Sequence, residues 1–369
     1  MTPDPYDGTG VRVGPPRTGT ARRMGVPGVI DKALDRSVVL GYGRTGLSVR
    51  RRLPDWPPGP ERMDGATVLV TGAGSGIGLA TAAGCARLGA SVRVLGRTPE
   101  RAEEAAALTR ERLADADGAG DVRPVVCDVS SLASLREFTE GFLAREERLD
   151  VLVNNAGVMP DERQFSPDGV ELTFATHVLA PWFLIDALSP LLRRAAPSRV
   201  LDVTSGGQYG TSLPEHDPES TRDAYGPKKF YARTKRAQVV ITQMWADRLR
   251  EDGVHVHAVH PGWADTKGVR NWLPVFRVLT RPVIRTPEEG ADTVVWLASA
   301  PEAVRVSGRL WHDRRVRPAT YALGAGPDGP AAREELWAHV AALAGGAAEA
   351  RATAPAPPEP HRPPRPDHG

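Results

Sequence analysis

Short apolar runs alternate with longer helical segments along the chain from Ala66 onward. Runs rich in valine, leucine and isoleucine predict strands, and they lie at 68–70, 91–95, 125–127, 151–153, 200–203 and 254–259. The segments between and after them have helical composition and lie at 77–88, 99–113, 132–145, 178–192, 231–249 and 331–344. Because apolar strands without a polar face are typical of a sheet that is covered on both sides, the pattern predicts a single doubly wound α/β domain with a parallel sheet over 65–345.

The two ends of the chain differ from this pattern. Residues 346–369 are rich in proline, alanine and arginine, and residues 1–64 hold nine of the 34 prolines. Such segments bury too little apolar surface to offset the entropy of the chain. We therefore expect a disordered tail at 346–369 and a partly disordered N-terminal extension at 1–64.

One stretch of the extension, residues 28–53, has the pattern of a basic amphipathic helix. It places Ile30, Leu34 and Val38 on one helical face and ends in three arginines at 50–52. Two interpretations stay open. The helix could lie peripherally on an anionic membrane surface, or it could pack its apolar face on the domain or over a substrate cleft, with Gly41 and Gly43 interrupting it.

Composition narrows the classes of function. With 47 basic and 45 acidic residues the net charge is +2, so no global field attracts nucleic acid. Cys85 and Cys127 cannot build a disulfide framework and lack the spacing of metal ligands, so we expect no metal site. There is no run of about 18 apolar residues, the length that a membrane-spanning helix needs, and the first residues lack the apolar core of a signal peptide. We expect a cytoplasmic protein.

A glycine-rich stretch stands where the first predicted strand gives way to the first predicted helix. It contains Thr71, Gly72, Ser75, Gly76, Ile77 and Gly78. Glycines let the backbone approach a pyrophosphate closely, and a helix N-terminus supplies free N–H groups and the positive end of its dipole. The stretch therefore predicts a dinucleotide site in a Rossmann-type fold; the alternative is a tight structural turn.

The end of the second predicted strand indicates which dinucleotide binds. An acidic residue there would bind the ribose 2′-hydroxyl of NAD(H), but this chain has Gly96 followed by Arg97. Because a guanidinium suits a phosphate, NADP(H) is favoured over NAD(H); otherwise Arg97 is a solvated residue at the start of a helix. After the third strand, Asp128, beside Val129, could accept a hydrogen bond from the adenine amino group or cap the next helix.

Three polar residues fit acid–base chemistry. Ser205 follows the fifth predicted strand, and Tyr231 and Lys235 share one face of a predicted helix because they stand four positions apart. An ammonium close to a phenol favours the phenolate, so we expect Lys235 to lower the pKa of Tyr231 from about 10 towards neutral pH. Tyr231 would then be a general acid or base, and Ser205 would reach the same crevice at the carboxyl end of the sheet.

These motifs resemble the short-chain dehydrogenase/reductase family over residues 66–320. The resemblance implies that Ser205, Tyr231 and Lys235 are catalytic and that Lys235 also holds the nicotinamide ribose. It implies further cofactor contacts from the glycine-rich stretch, from Asn155, Ala156 and Gly157, and from Pro261, Gly262 and Thr266. The segments 205–207, 231–245, 260–269 and 308–314 are similar to one subgroup, the dehydrogenase/reductase member 12 type.

The chain departs from the family pattern at two points. His177 stands where the family usually has an asparagine that bends a helix and holds a water linked to the lysine. His177 could hold the same water as part of the catalytic set, because imidazole both donates and accepts hydrogen bonds, or it could be a packed histidine. The interval from Ser205 to Tyr231 is also wider than is usual in the family, so residues 206–230 predict a polar loop at the mouth of the site.

We predict an NADP(H)-dependent oxidoreductase that transfers a hydride between the nicotinamide and a small-molecule carbonyl or alcohol. The loop at 263–285 favours an apolar substrate, although a lid would look the same; its apolar residues are Trp263, Trp272, Leu273, Val275 and Phe276. The alternatives are an NADP(H)-binding sensor or interaction protein that has lost the chemistry, and a sugar-nucleotide epimerase, which would need a larger C-terminal domain. The resemblance also implies a homodimer or tetramer.

Overall fold

Among the described residues, eight strands form one sheet in the order β3-β2-β1-β4-β5-β6-β7-β8. The computed structural model describes residues 26–352 except 215, 273–276, 279, 322 and 323. The strands are β1 Thr67–Val70, β2 Ser91–Gly96, β3 Val122–Val126, β4 Val151–Asn154, β5 Ser198–Val203, β6 Val254–Val259, β7 Arg309–His312 and β8 Arg315–Arg317. Neighbouring strands are parallel except β7 and β8. The sheet confirms the predicted doubly wound α/β class.

Helices cover both faces of the sheet and one end of it. They are α1 Val26–Arg36, α2 Val38–Tyr42, α3 Arg44–Arg50, α4 Gly76–Arg87, α5 Pro99–Glu111, α6 Leu132–Arg145, α7 Leu172–Arg194, α8 Pro227–Arg248, α9 Lys267–Trp272, α10 Pro287–Ser299 and α11 Pro330–Ala352. Two short 3₁₀ helices lie at Gly206–Gly210 and Pro301–Val304, and α7 contains a π-helical turn at Ala175–Leu179.

Alternate side chains of the central strands face two different apolar layers. Leu69 of β1 belongs to an apolar cluster that also contains residues of α6, α7, α8 and α11. Val68 and Val70 point the other way and belong to a second cluster that contains residues of α4, α5 and α10. Because both faces are covered, the strands need apolar residues at every position. Asp202 in β5 departs from that rule: it is a charged residue that is fully buried.

Helix α7 is long and apolar enough to cross a membrane by length and composition. However, 72% of its most apolar 18-residue stretch is buried inside the domain. It packs against α6 and β5 and contributes Leu184, Ile185 and Leu188 to the core. This burial identifies α7 as a core helix that covers the sheet.

The N-terminal extension packs on the domain through its acidic side. Asp31 and Asp35 are the buried residues of α1. The Arg50 guanidinium at the end of α3 is fully buried and donates to Asp31 at 2.8 Å and to Asp313, after β7, at 2.6 Å. Arg317 of β8 donates to both carboxylate oxygens of Asp31 at 2.8 Å. Ion pairs therefore hold α1–α3 on the β7–β8 edge of the sheet.

The predicted apolar contact face does not make this interface. Ile30 is 37% exposed and Leu34 is half-buried, while the side chain of Val38 lies outside the described residues. The single helix predicted over 28–53 is also wrong, since the chain is interrupted at Ser37 and Gly43. Gly41 does not interrupt a helix; it lies inside α2, where a Cβ would come within 2.0 Å of the Leu34 carbonyl oxygen.

The structure adds elements that the sequence pattern did not predict. Strands β7 and β8 and helix α10 lie within 287–317, where no element is predicted. Helix α11 continues to Ala352, past the predicted end at 344 and into the predicted tail. Residues 1–25 and 353–369, to which the prediction of disorder also applies, lie outside the described residues.

Candidate active site

The turn between β1 and α4 leaves its backbone open at the point where a pyrophosphate would bind. Gly74 and Ser75 are exposed, and no side chain caps the N-terminus of α4. A Cβ at Gly74 would meet nothing within 4 Å. Gly72 and Gly76 have positive φ angles of 65° and 55°, a conformation that favours glycine. The free N–H groups and open backbone fit a dinucleotide phosphate.

The residues after β4 are tied to this turn by hydrogen bonds. The Thr71 hydroxyl accepts from the backbone N–H groups of Asn155 at 2.9 Å and Ala156 at 3.0 Å. The Asn155 side-chain amide donates to the carbonyl oxygens of Thr71 at 3.1 Å and Gly72 at 3.2 Å. Asn155 therefore fixes the distance between the ends of β1 and β4.

The stretch after β6 reaches the same turn from the other side. The Thr266 methyl lies 3.1 Å from the position that a Cβ of Gly76 would occupy. The Arg285 guanidinium donates to the Pro261 carbonyl oxygen at 3.2 Å and packs against Gly262, which has a φ of 77°. The structure also places Ile77 against Gly290 of α10, Gly78 against Gly72 and Gly157 against His177.

Position 96 cannot carry a side chain. A Cβ at Gly96 would lie 2.2 Å from the backbone nitrogen of Ala102 in α5, so no carboxylate can stand there. The next residue, Arg97, is exposed and has no ion pair among the described residues. Its guanidinium is therefore available to an anion at the end of β2.

Asp128 folds back on its own loop. Its carboxylate accepts from the Ser130 backbone N–H at 3.0 Å and from the Ser130 hydroxyl at 2.7 Å. The N-cap of α6 is Ser131, so the interpretation of Asp128 as the helix cap is wrong. Val129 lines a small cleft together with Thr71 and Ala156.

Ser205, Tyr231 and Lys235 converge at the carboxyl end of β5. The Ser205 hydroxyl lies close enough to the Tyr231 hydroxyl to lower its pKa. The Lys235 ammonium is buried and donates to the Val203 carbonyl oxygen at 2.8 Å and to the Gln238 side-chain oxygen at 3.0 Å. Its nitrogen lies 5.8 Å from the centre of the Tyr231 ring. Two of its three N–H groups are thus used by the protein.

The pKa values of Tyr231 and Lys235 differ from the sequence-based prediction that Lys235 lowers the pKa of Tyr231. Loss of solvent raises the pKa of Tyr231 to about 12, and the nearby Ser205 hydroxyl only partly opposes that shift. Burial lowers the pKa of Lys235 to about 7. The prediction that Lys235 lowers the pKa of Tyr231 is therefore wrong, because the ammonium is bonded to the Val203 carbonyl oxygen and the Gln238 side chain instead. Tyr231 keeps its proton at neutral pH.

His177 lies behind the Tyr231 ring, which it meets edge-on at 5.2 Å between ring centres. Its Nε2 accepts from the Val158 backbone N–H at 3.0 Å, so Nδ1 carries the proton and donates to the Thr234 hydroxyl at 2.8 Å. Burial, together with the charge of Lys235, holds the pKa of His177 well below 6.5. With both ring nitrogens used, the contacts favour the packed histidine over the holder of a water.

The inserted loop at 206–230 is fastened at several points. The Arg163 guanidinium donates to the carbonyl oxygens of Ser220, Thr221 and Asp223. The Tyr225 hydroxyl donates to the Pro160 carbonyl oxygen at 2.7 Å. The loop therefore packs against the segment that follows β4, on the side where Tyr231 lies. Of the predicted substrate loop, Trp263 is described, whereas Leu273, Val275, Phe276 and the side chain of Trp272 lie outside the described residues.

Sequence reasoning missed residues that support the site from behind. Asp202, Gln238 and Thr242 form a buried polar cluster beneath Lys235. Two signals could have revealed it: a carboxylate inside an otherwise apolar strand, and polar residues at helical spacing from Lys235. Tyr42 of the extension was also missed, and its ring meets His260 at 4.6 Å and lies 3.4 Å from a Cβ position on Gly206.

This fold, with an open glycine-rich turn and a serine, tyrosine and lysine beside it, defines an NAD(P)-dependent oxidoreductase. Residues 66–274 match the sequence model of the short chain dehydrogenases. The chain belongs to the short-chain dehydrogenase/reductase family.

Individual relatives support the same assignment. The chain is 39% identical over 277 residues to dehydrogenase/reductase SDR family member 12 of Bos taurus, covering 74% of this chain and 85% of that protein. It is 38% identical over 269 residues to retinol dehydrogenase 14 of Homo sapiens, covering 69% and 80%. Among solved structures, the Pseudomonas aeruginosa RhlG/NADP active-site complex is 26% identical with a TM-score of 0.55, covering 68% of this chain and 94% of that one. The predicted resemblance to the member 12 type is confirmed.

Proposed function

We propose that this chain reduces an apolar aldehyde or ketone with NADPH and that the same residues serve the reverse oxidation. The observation that carries the proposal is the convergence of Ser205, Tyr231 and Lys235 beside the open glycine-rich turn. When bound, the nicotinamide supplies or accepts the hydride. The residues that would hold the dinucleotide are those of the turn at 71–78, those after β4 (Asn155, Ala156 and Gly157) and those after β6 (Pro261, Gly262 and Thr266).

Each of the three side chains has a distinct role in this reduction. Tyr231, whose pKa of about 12 keeps it protonated, donates its proton to the carbonyl oxygen as negative charge develops there. Ser205 donates a hydrogen bond to the same oxygen. The Lys235 ammonium stabilises the phenolate that remains after the transfer.

An apolar substrate is supported by the relatives and by the mouth of the site. Retinol dehydrogenase 14 acts, by its name, on retinol, an apolar alcohol. In this chain Trp263 and Tyr42 place aromatic rings 6.3 Å apart beyond the carboxyl end of β6. The substrate panel should therefore contain long-chain and polyene aldehydes together with ketones and quinones.

The test is NADPH oxidation by the full chain against that panel, with the Tyr231→Phe protein as the blank. We expect the native protein to turn over at least one apolar aldehyde. We expect the Tyr231→Phe protein to turn over none of the panel. The sensor alternative predicts tight NADPH binding with no turnover of any carbonyl. That outcome, with the blank and the native protein equal, would overturn the proposal.

The preference for NADPH depends on Arg97 in this proposal. Arg97→Glu should lower the ratio of kcat/KM with NADPH to kcat/KM with NADH by about tenfold to a hundredfold, because it replaces a charge-assisted hydrogen bond to the 2′-phosphate by repulsion. Arg101→Glu is the matched control, since Arg101 is exposed on the next turn and its ion pair among the described residues is with Glu104. Equal ratios in the two variants would contradict a role for Arg97.

We also propose that the outer face of the N-terminal extension contacts an anionic membrane. Because Asp31 and Asp35 point inward, α1 turns its apolar residues outward: Val26 is 73% and Val29 is 54% exposed, and Ile30 follows them. Leu40 of α2 is 51% exposed. Lys32 and Arg36 stand on the same helix, exposed and without an ion pair among the described residues. Apolar residues flanked by unpaired cations fit an anionic lipid surface.

Cosedimentation with vesicles tests this contact. The Val29→Ser, Ile30→Ser double variant should bind vesicles that contain phosphatidylserine several-fold more weakly than the native chain, and high salt should weaken the native binding. Val126→Ser is the control, because Val126 is 43% exposed on β3 at the opposite edge of the sheet. Binding that is unchanged in the double variant would contradict the proposal. The cytoplasmic location and the homo-oligomer stay predictions.

A further inference from the structure

Asp202 is a buried carboxylate within the apolar sheet. It is the fifth residue of β5 and has no solvent exposure. Its two oxygens accept from the Asn154 side-chain amide at 2.8 Å and from the Thr242 hydroxyl at 2.6 Å. Neither donor carries a charge, so these bonds do not neutralise the carboxylate. A buried carboxylate of this kind needs a cation nearby or a proton of its own.

The cation is provided by the helix face that packs on β5. Lys235, Gln238 and Thr242 are three and four positions apart in α8 and share one face. Thr242 bonds the carboxylate itself, and the Lys235 ammonium bonds the carbonyl oxygen of Val203, the residue after Asp202. The ammonium and the carboxylate therefore occupy one buried cluster, and each favours the charged form of the other.

The other titratable groups that face Lys235 are neutral. His177 is uncharged because its Nε2 accepts a hydrogen bond and its pKa lies well below 6.5 owing to burial. Tyr231 keeps its proton because desolvation raises its pKa to about 12. Among the described residues that interact with Lys235, Asp202 is thus the source of negative charge. The cluster also holds two unpartnered buried atoms, the Asn154 side-chain oxygen and the Gln238 side-chain nitrogen, which can solvate the pair.

We propose that Asp202 is a positioning residue of this enzyme: its buried carboxylate keeps the Lys235 ammonium charged and directed at β5. The His177 ring cannot hold the ammonium in this way, because both of its nitrogens are already hydrogen-bonded. This inference rests on the proposed function for its effect on turnover. Its structural content, a coupled pair of Asp202 and Lys235, does not depend on the substrate.

The pH profile of kcat tests the effect on turnover. Burial already lowers the pKa of Lys235, and Asp202 opposes that shift, so Asp202→Asn should lower it further. Activity that needs the ammonium is then lost at a lower pH, and kcat at pH 8, relative to the maximum on the acid side of the profile, should fall by about tenfold for each unit of displacement. Thr242→Val removes one hydrogen bond but leaves the carboxylate, so its alkaline limb should match that of the native chain. An Asp202→Asn profile that coincides with the native one would overturn the proposal.

A double-mutant cycle on thermal unfolding tests the pair without any turnover. Asp202→Asn should lower the unfolding midpoint of the native chain, because it leaves the buried ammonium without its counter-charge. In the Lys235→Met background the same change should raise the midpoint, because there the carboxylate is the uncompensated charge. Equal shifts in both backgrounds would refute the coupling. A coupled cycle in a chain that turns over no carbonyl would instead refute the proposed function alone.

Discussion

Replacing Tyr231 by phenylalanine should lower kcat/KM for the carbonyl substrate by about a thousandfold while leaving NADPH binding and the unfolding midpoint nearly unchanged. A positioned general acid contributes on the order of 10²–10⁴ in rate. The substitution removes one hydroxyl, which faces Ser205. It keeps the ring that packs edge-on against His177, so the fold has little reason to change. Steady-state kinetics, cofactor titration by fluorescence and thermal unfolding measure the three quantities separately.

Tyr225→Phe is the matched control for this variant. Tyr225 also carries a hydroxyl near the site, but its hydroxyl donates to the Pro160 carbonyl oxygen and so fastens the inserted loop. We expect it to keep kcat within a few-fold of the native value, because one neutral hydrogen bond is worth about 0.5–1.5 kcal/mol. If Tyr231→Phe behaved like Tyr225→Phe, the proton would have another source, and Tyr231 would lose its assigned role.

The central fold could be predicted because its signals are local. The strands at 68–70 and 151–153 are apolar on both faces, and a parallel sheet requires that pattern. The glycines at 72 and 76 mark the turn because side chains rarely adopt their positive φ angles. The strands β7 and β8 carry no such signal, since three of the seven residues are arginine and their burial depends on partners elsewhere.

The candidate site was predictable in its members but not in its electrostatics. The spacing of Tyr231 and Lys235 places them on one helix face, and the structure brings them together with Ser205. The spacing does not say where the ammonium points. Acceptors on β5 draw it away from the phenol, and these are the Val203 carbonyl oxygen and, through the buried cluster, Asp202. A residue 33 positions away in sequence thus decides the charge balance of the pair.

The packing of the N-terminal extension likewise depends on residues that are distant in sequence and could not be predicted from the local pattern. The apolar face of α1 leaves open whether the helix packs on the domain or meets a membrane, and the structure packs the helix on the domain through Asp31 and Asp35 instead. The reason is the basic lining of the β7–β8 edge, where Arg317 meets Asp31 across 286 positions of sequence. Polar partners that are distant in sequence override the hydrophobic pattern because leaving buried guanidinium groups unpaired costs several kcal/mol.

Asp313 fastens the extension to the catalytic domain, and Asp313→Asn should destabilise the protein by about 3–5 kcal/mol. The carboxylate is fully buried and accepts from Arg50 at 2.6 Å and from Arg285 at 2.7 and 2.9 Å. These guanidinium groups and His312 hold the pKa of Asp313 far below its usual range although burial opposes them. Since that pKa is depressed, the stabilisation is present at neutral pH and is lost only as the pH falls through strongly acid values. Urea unfolding at pH 7 measures the loss.

The choice of asparagine separates charge from backbone effects in this test. Asp313 has a φ of 50°, a conformation that asparagine tolerates well, so strain does not explain a loss of stability. Asp64→Asn is the control, because Asp64 pairs with Arg62 on the surface, where solvent screens the pair, and its loss should leave the free energy of unfolding nearly unchanged. Since Arg285 also holds Pro261 and the extension holds Tyr42 against Gly206, Asp313→Asn should lower kcat as well. Equal stability losses in the two variants would mean that the extension is an appendage, whereas a large loss confined to Asp313→Asn would make residues 26–56 part of the catalytic fold.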